Sequence, residues 1–115
     1  MSLQVQTRQE SGVAVVAPRG KLTMEHGALL HEEVQKLVNG GARRLLVDLT
    51  GVDYIDSHGL GQMVACQSTV RSHGGRLCFT GLSDKLRRLL QMTTIPRILE
   101  FDPDLANAVK NLADA

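Results

Sequence analysis

An acid, a hydroxyl and an imidazole follow one another at Asp56, Ser57 and His58. Together they are the residue types of a serine hydrolase, but the nucleophile, base and orienting acid of such enzymes meet in space from separated positions of the chain. The Gly-x-Ser-x-Gly sequence of a nucleophile elbow is also missing, because position 55 is isoleucine. We therefore do not interpret Ser57 as a catalytic nucleophile. Its place at the start of a predicted helix indicates instead a phosphorylation switch on a small binding protein.

Ser57 lies where a helix is predicted to begin. An apolar run at 45–47 leads into this segment, and apolar residues recur at helical spacing between 60 and 70. A phosphate is well accommodated at such a position, because the first N–H groups of a helix have no partner inside it and the helix dipole is positive there. A simpler interpretation stays open, in which Ser57 or Asp56 only caps the helix. Asp56 would then either cap it or orient the Ser57 hydroxyl.

The composition limits the classes of function. A chain of 115 residues with a net charge of +1 fits one domain over residues 1–115. There is no basic excess for nucleic acid, and three aromatic side chains make a poor platform for stacking bases. Residues 1–5 lack the features of a signal peptide, and no apolar run approaches the ~20 residues of a membrane helix. We expect a cytoplasmic protein that binds neither nucleic acid nor membrane.

The residues that could hold a metal or a cofactor do not form a recognisable site. Cys66 and Cys78 fall in a presumed helix and a presumed strand and resemble small buried hydrophobic residues, and the histidines are scattered without ligand spacing. Gly59-x-Gly61 is too short for a dinucleotide fingerprint or a phosphate loop. We expect no metal and no cofactor, and both glycines to allow close approach of a helix to the sheet or to a partner surface.

The elements that must position Ser57 alternate along the chain. Strands are predicted at 5–8, 12–17, 44–49, 77–80 and 98–101. Helices are predicted around 30–38, from the residue after Asp56-Ser57 to about 72, from 84 to about 90, and from 104 onward. The order β-β-α-β-α-β-α-β-α predicts an α/β fold with a mixed, mostly parallel sheet of about five strands and right-handed crossovers.

Ligands of parallel sheets gather at the carboxyl ends of the strands, where the loops leave. Thr23 follows the second predicted strand, Asp56 and Ser57 follow the third, and 81–83 follow the fourth. We expect Thr23 and Ser57 to share one rim of the sheet.

The string DLTGV at 48–52, followed by IDSHGLG at 55–61, resembles the signature of STAS domains. The nearest group is the bacterial anti-sigma-factor antagonists, and the similarity extends over nearly the whole chain. It includes Gly20-x-Leu22, the glycines at 74–75 and the stretch 86–93. The resemblance implies a single STAS domain with helices packed mainly on one side of the sheet.

The resemblance also implies a mechanism. In that family the unmodified antagonist binds an anti-sigma factor, which is a serine kinase of the GHKL type, and this frees the sigma factor. The kinase phosphorylates the serine directly after the motif aspartate, the complex dissociates, and a PP2C-type phosphatase removes the phosphate. Applied to this sequence, the resemblance implies that Ser57 accepts the phosphate. The residues that it implies in partner binding are Thr23, Asp56, Ser57, His58 and Gly59.

Two positions depart from the family pattern, and one alternative function stays open. His58 stands where the family usually has a second serine or another small residue, and Thr23 stands where an acidic residue is common. Both departures bear on the choice of partner. The alternative is a STAS scaffold subunit of a lipid-transport ATPase or of a stress-sensing complex, in which Ser57 need not be modified. Nucleotide binding by the STAS fold is a weaker third reading.

Overall fold

The structure is a computed structural model that describes residues 3–115. Residues 1 and 2 lie outside the described residues. They belong to the predicted domain at 1–115 and to the N-terminal segment that lacks the features of a signal peptide. Five strands and five helices occupy the described residues. They are β1 (Gln4–Glu10), β2 (Val13–Leu22), α1 (Ala28–Asn39), β3 (Arg44–Asp48), β4 (Gly51–Ile55), α2 (Ser57–Ser72), β5 (Arg76–Thr80), α3 (Asp84–Gln91), α4 (Ile95–Ile98) and α5 (Leu105–Ala113).

The strands form one mixed sheet in the order β1-β2-β3-β5, with β4 also paired to β2. β1 is antiparallel to β2, and the other pairings are parallel. Because β2 is ten residues long, its first half pairs with β3 and its second half with β4, up to the pair Leu22 and Ile55. The predicted α/β class and the mostly parallel sheet are confirmed.

Side chains alternate between the two faces of the sheet, and each face buries its own apolar cluster. Leu45 and Val47 of β3 point into the larger cluster, which α1 to α4 cover, whereas Leu46 between them points into a smaller cluster beneath α5. The expectation of helices mainly on one side is therefore confirmed. The smaller cluster consists of Val13, Val15, Leu46, Cys78, Ala108, Val109 and Leu112.

Cys66 and Cys78 are free and buried, as small hydrophobic residues would be. Cys66 belongs to the larger cluster and Cys78 to the smaller one, so the sheet separates them. Burial raises the pKa of both thiols to about 12. Neither thiol is therefore ionised at neutral pH.

The strand predicted at 98–101 is wrong. Residues 95–98 form the short helix α4, with Pro96 in its first turn, where the N–H that proline lacks has no helical partner to lose. This segment meets the sheet through an isolated bridge between Phe101 and Phe79, with backbone hydrogen bonds from Phe79 N–H to Glu100 and from Asp102 N–H to Phe79. The Phe79 and Phe101 ring centroids lie 5.5 Å apart. Proline therefore begins a helical turn in the segment just before the predicted strand.

A strand that the sequence analysis did not predict takes its place. β4 lies within residues 48–61, which resemble the STAS signature. It pairs with β2 beyond the point where β3 stops. β2 accommodates it by extending to Leu22, and Gly20, at φ 115°, precedes a shift in the β2–β4 register. Residues 20–22 are therefore strand, although the second strand was predicted to end at 17.

Candidate functional site

Two loops meet at the carboxyl ends of β2 and β4. Leu22 pairs with Ile55, so Thr23 and Asp56, the residues that follow, leave the sheet side by side. The backbone N–H of Asp56 donates to the carbonyl of Leu22 at 3.2 Å, and the N–H of Met24 donates to Asp56 Oδ2 at 3.2 Å. Thr23 and Ser57 thus lie on one rim, but β4 delivers Ser57 to it, not the third predicted strand.

Asp56 is the N-cap of α2. Its backbone is extended, at φ −99° and ψ −176°, and its Oδ1 accepts from the N–H of Gly59 at 2.8 Å. This hydrogen bond above all, with those from Met24 and His58 and the nearby His58 ring, holds the pKa of Asp56 below its ordinary value. One carboxylate therefore ties the β2 loop to the start of the helix and is ionised at neutral pH.

Ser57 is the first residue of α2 and not its cap. It is exposed, and so is His58 after it, whereas Gly59 is buried. α2 runs for 16 residues, which gives its N-terminus a full helix dipole. The Ser57 hydroxyl is therefore presented to solvent at the positive end of a long helix, directly after a carboxylate.

Gly59 lets α2 approach the sheet. A Cβ built on Gly59 would collide with the carbonyl oxygen of Leu22 and would lie 3.0 Å from Cγ2 of Ile55. Gly61 has open space around the same position and is exposed. The expected approach of helix to sheet therefore holds for Gly59 but not for Gly61.

Thr23 begins a tight turn that leads into α1. Its carbonyl accepts from the N–H of Gly27 at 2.6 Å, and a Cβ on Gly27 would lie 2.6 Å from the same oxygen. Thr23 is half-buried, while Met24 and Glu25 are exposed. The turn thus places the half-buried Thr23 and the exposed Met24 and Glu25 beside Asp56.

Met24 is the residue of this site that sequence reasoning missed. Its side chain is 66% exposed, although its backbone is fixed to Asp56. A single exposed apolar side chain is ordinary on a protein surface, so Met24 is included in the site because its backbone bonds to Asp56. The sequence does show a methionine two residues after the end of a strand, but candidate site residues were chosen for their polar chemistry, which methionine lacks. We call Thr23, Met24, Asp56, Ser57 and His58 the Ser57 rim.

Residues 3–115 also bear on two other kinds of site. Three or more His, Cys, Asp or Glu side chains are nowhere grouped in them so that they could share a metal ion. No helix among them combines the length and the apolar character needed to cross a bilayer.

The sequence matches a model of the STAS domain over residues 4–108. Among curated relatives, the anti-sigma-B factor antagonist of Bacillus subtilis is 31% identical over 101 residues, which cover 88% of this chain and 92% of the relative. The family match and this relative both span most of the chain.

Two solved structures show the same fold. The crystal structure of an anti-sigma factor antagonist from Mycobacterium paratuberculosis superposes with a TM-score of 0.85 at 22% identity, covering 96% of this chain and 94% of that one. The Bacillus cell fate determinant SpoIIAA in its phosphorylated form superposes with a TM-score of 0.69 at 14% identity, covering 95% of this chain and 99% of that one.

Proposed function

The chain belongs to the STAS domain family, and from that premise we propose that it is an anti-sigma-factor antagonist switched by phosphorylation of Ser57. The observation that carries the proposal is an exposed serine on the first turn of a long helix, directly after an ionised cap. The name of the Bacillus subtilis relative supports the class of function. The protein is then a cytoplasmic substrate of a kinase and not itself an enzyme.

The unmodified Ser57 rim binds an anti-sigma factor that is also a serine kinase of the GHKL type, and this binding frees the sigma factor. Met24 supplies an apolar contact at 66% exposure, and Ser57 and His58 supply small or polar contacts around it. Such a mixture of a central apolar side chain and a polar border is typical of protein interfaces. A PP2C-type phosphatase restores the binding form.

Phosphorylation ends binding because of the charge it adds. A phosphoserine carries about −1.5 to −2 charges at pH 7. Asp56, next in the chain, is already ionised, since its pKa lies below the ordinary value. A closed interface would remove both charges from water, which is unfavourable unless the partner supplies cations in the right geometry. The complex is therefore weakened by desolvation and by like-charge repulsion together.

The free protein tolerates the phosphate for a separate reason. The N-terminus of α2 carries the positive end of the helix dipole, and a phosphate on an exposed Ser57 stays in contact with water. A protein of the same fold, SpoIIAA, keeps that fold in its phosphorylated form. One modification can therefore control docking without unfolding the domain.

Phosphate transfer by the GHKL-type kinase of the same organism tests the proposal. With ATP, the kinase should add one phosphate to the wild-type chain, and mass spectrometry should place it on Ser57. Ser57→Ala should abolish the transfer, whereas Ser68→Ala, an exposed serine in the same helix, should leave it unchanged. Transfer that survives Ser57→Ala would contradict the proposal. Partner binding that ignores both Ser57→Ala and Ser57→Asp would instead support a scaffold subunit.

A further inference from the structure

Exposed apolar side chains are concentrated in residues 83–99, which contain α3 and α4. In residues 3–115 six large apolar side chains are exposed, and three of them, Leu89, Met92 and Ile98, fall in this stretch. Met92 is the most exposed of the six, at 86%. Single exposed apolar residues are ordinary, but a local concentration of them often marks a surface that another molecule covers.

Leu89 and Met92 lie on one face of α3 together with two cations. Lys85, Arg88, Leu89 and Met92 follow the spacing i, i+3, i+4 and i+7, which places side chains along one stripe of a helix. All four are exposed, whereas the other two leucines of α3 are buried in the larger cluster. We call these four residues the α3 ridge.

A groove of about 420 Å³ adjoins the ridge at Met92. The end of α3, the turn at 93–94 and the start of α4 form it, and Arg97 is among the residues that line it. A concave surface beside exposed apolar side chains is the arrangement into which a partner helix or loop inserts its own apolar side chains.

Positive charge is concentrated in the same stretch. Residues 83–99 contain four cationic side chains and one acid, whereas the whole chain has a net charge of +1, so the rest of the chain is net acidic. Three of the four cations, Lys85, Arg88 and Arg97, make no ion pair with any residue that the structure describes.

The acids nearby do not cancel this charge. Asp84 lies 3.6 Å from Arg87, the fourth cation, and Asp102 lines a separate cavity together with that arginine. Glu100 is held by Arg76 of β5 at 2.6 Å. These three acids and two arginines leave one negative charge against the three unpaired cations, so the surface stays net positive.

We propose that the α3 ridge and its groove bind a second protein, through a segment whose apolar side chains are bordered by Asp and Glu. The two apolar side chains of the ridge contact those of the segment, and its two cations, with Arg97, pair with the carboxylates around them. An anionic membrane fits less well, because the ridge lacks the continuous apolar face of an interfacial helix. The ridge shares no residue with the Ser57 rim, so this partner is distinct from the anti-sigma kinase and the proposal does not rest on the switch.

Photo-crosslinking of the full chain in growing cells of the source organism tests the proposal. With p-benzoylphenylalanine in place of Met92, ultraviolet light should join the chain to one other protein. Peptide mapping by mass spectrometry should place the adduct in a segment where Asp or Glu residues flank apolar ones. The same photoreactive residue in place of Gln35, an exposed position of α1, should not give this adduct.

Charge reversal tests the electrostatic part of the proposal. Arg88→Glu should lower the yield of the Met92 adduct about tenfold, because it replaces an attraction to the partner's carboxylates by a repulsion. Arg71→Glu makes the same change of charge at an exposed position of α2 and should leave the yield unchanged. Ser57→Asp should also leave it unchanged, so a failure of the switch and a failure of the ridge give different results.

Several results would overturn the proposal. They are the absence of an adduct specific to position 92, an adduct in a segment without acidic residues, an adduct with the anti-sigma kinase, and equal yields from Arg88→Glu and Arg71→Glu. Sedimentation with phosphatidylglycerol vesicles should leave the wild-type chain in the supernatant. Co-sedimentation that Arg88→Glu abolishes would instead identify an anionic membrane as the occupant of the ridge.

Discussion

Replacing Gly59 with alanine should destabilise the domain, although alanine is the better helix residue. The new Cβ collides with the carbonyl oxygen of Leu22, a backbone atom at the end of β2 that cannot rotate away. Ile55 crowds the other side, with its Cγ2 at 3.0 Å. Relief requires α2 to move away from the sheet at the turn that carries Ser57.

The expected loss can be worked from two opposing effects. Forcing an extra carbon into a closed contact costs about 1–3 kcal/mol, and a fixed backbone partner places Gly59→Ala at the upper end. The gain in helix propensity returns about 1 kcal/mol. The net loss is then about 2 kcal/mol, which corresponds to a fall in Tm of about 8 °C for a domain of this size.

Gly61→Ala is the matched control, because Gly61 lies in the same helix and has open space around its Cβ position. It should gain up to about 1 kcal/mol and raise Tm by about 2–4 °C. Thermal and urea unfolding of both variants measure the difference. A Gly59→Ala variant as stable as Gly61→Ala would refute the close contact between α2 and β2.

Three further predictions concern single side chains. The folded state holds the pKa of Asp56 below its ordinary 3.8, so the ionised form contributes stability that is fully present above that value and is lost as pH falls through the folded pKa. The Asp56→Asn variant should therefore unfold at a lower urea concentration than the wild type at pH 7, and this difference in urea midpoint should disappear as the pH is lowered toward 2. A difference that does not depend on pH would contradict a stabilising ionised cap at Asp56. Because their thiol pKa values are about 12, Cys66 and Cys78 should resist iodoacetamide at pH 8 until urea unfolds the chain. Labelling of the folded chain, detected by mass spectrometry, would contradict this. Met24→Ala should weaken binding of the anti-sigma kinase about tenfold in calorimetry, whereas Met92→Ala, at 86% exposure but outside the rim, should not; equal effects would remove Met24 from the interface.

Most elements could be predicted because their local patterns agree with their burial. The apolar run of β3 suits a strand buried on both faces, and the stripe at Ala108, Val109 and Leu112 lies against the sheet as helical spacing requires. α1 and α2 end at Asn39 and Ser72, close to the ends predicted at 38 and 72. In these segments local propensity and tertiary packing favour the same structure.

The two errors share one physical cause, which is long-range pairing. β4 contains a glycine and an aspartate, which disfavour strands locally, and it forms because β2 is long enough to pair with it. Phe101 makes only one bridge to β5, which is too little to organise residues 98–101 as a strand. The predicted number of five strands matched the structure only because one error replaced the other.

The site was predictable where it depends on residue type and hidden where it depends on contacts. Asp56 and Ser57 stood out by their position before a helical pattern, but only the structure shows that Asp56 is the cap and that Ser57 follows it. The bond from the N–H of Met24 to Asp56 joins residues 32 positions apart, so no local pattern could have indicated it.

The affinity of the anti-sigma kinase for the two forms of this protein is the decisive quantity. Isothermal titration calorimetry should compare the unmodified chain with chain phosphorylated on Ser57, with the kinase held in the same nucleotide state. Burying an unpaired charge costs about 2–5 kcal/mol, so the phosphorylated form should bind at least about thirtyfold more weakly. Equal affinity of the two forms would contradict a switch at Ser57.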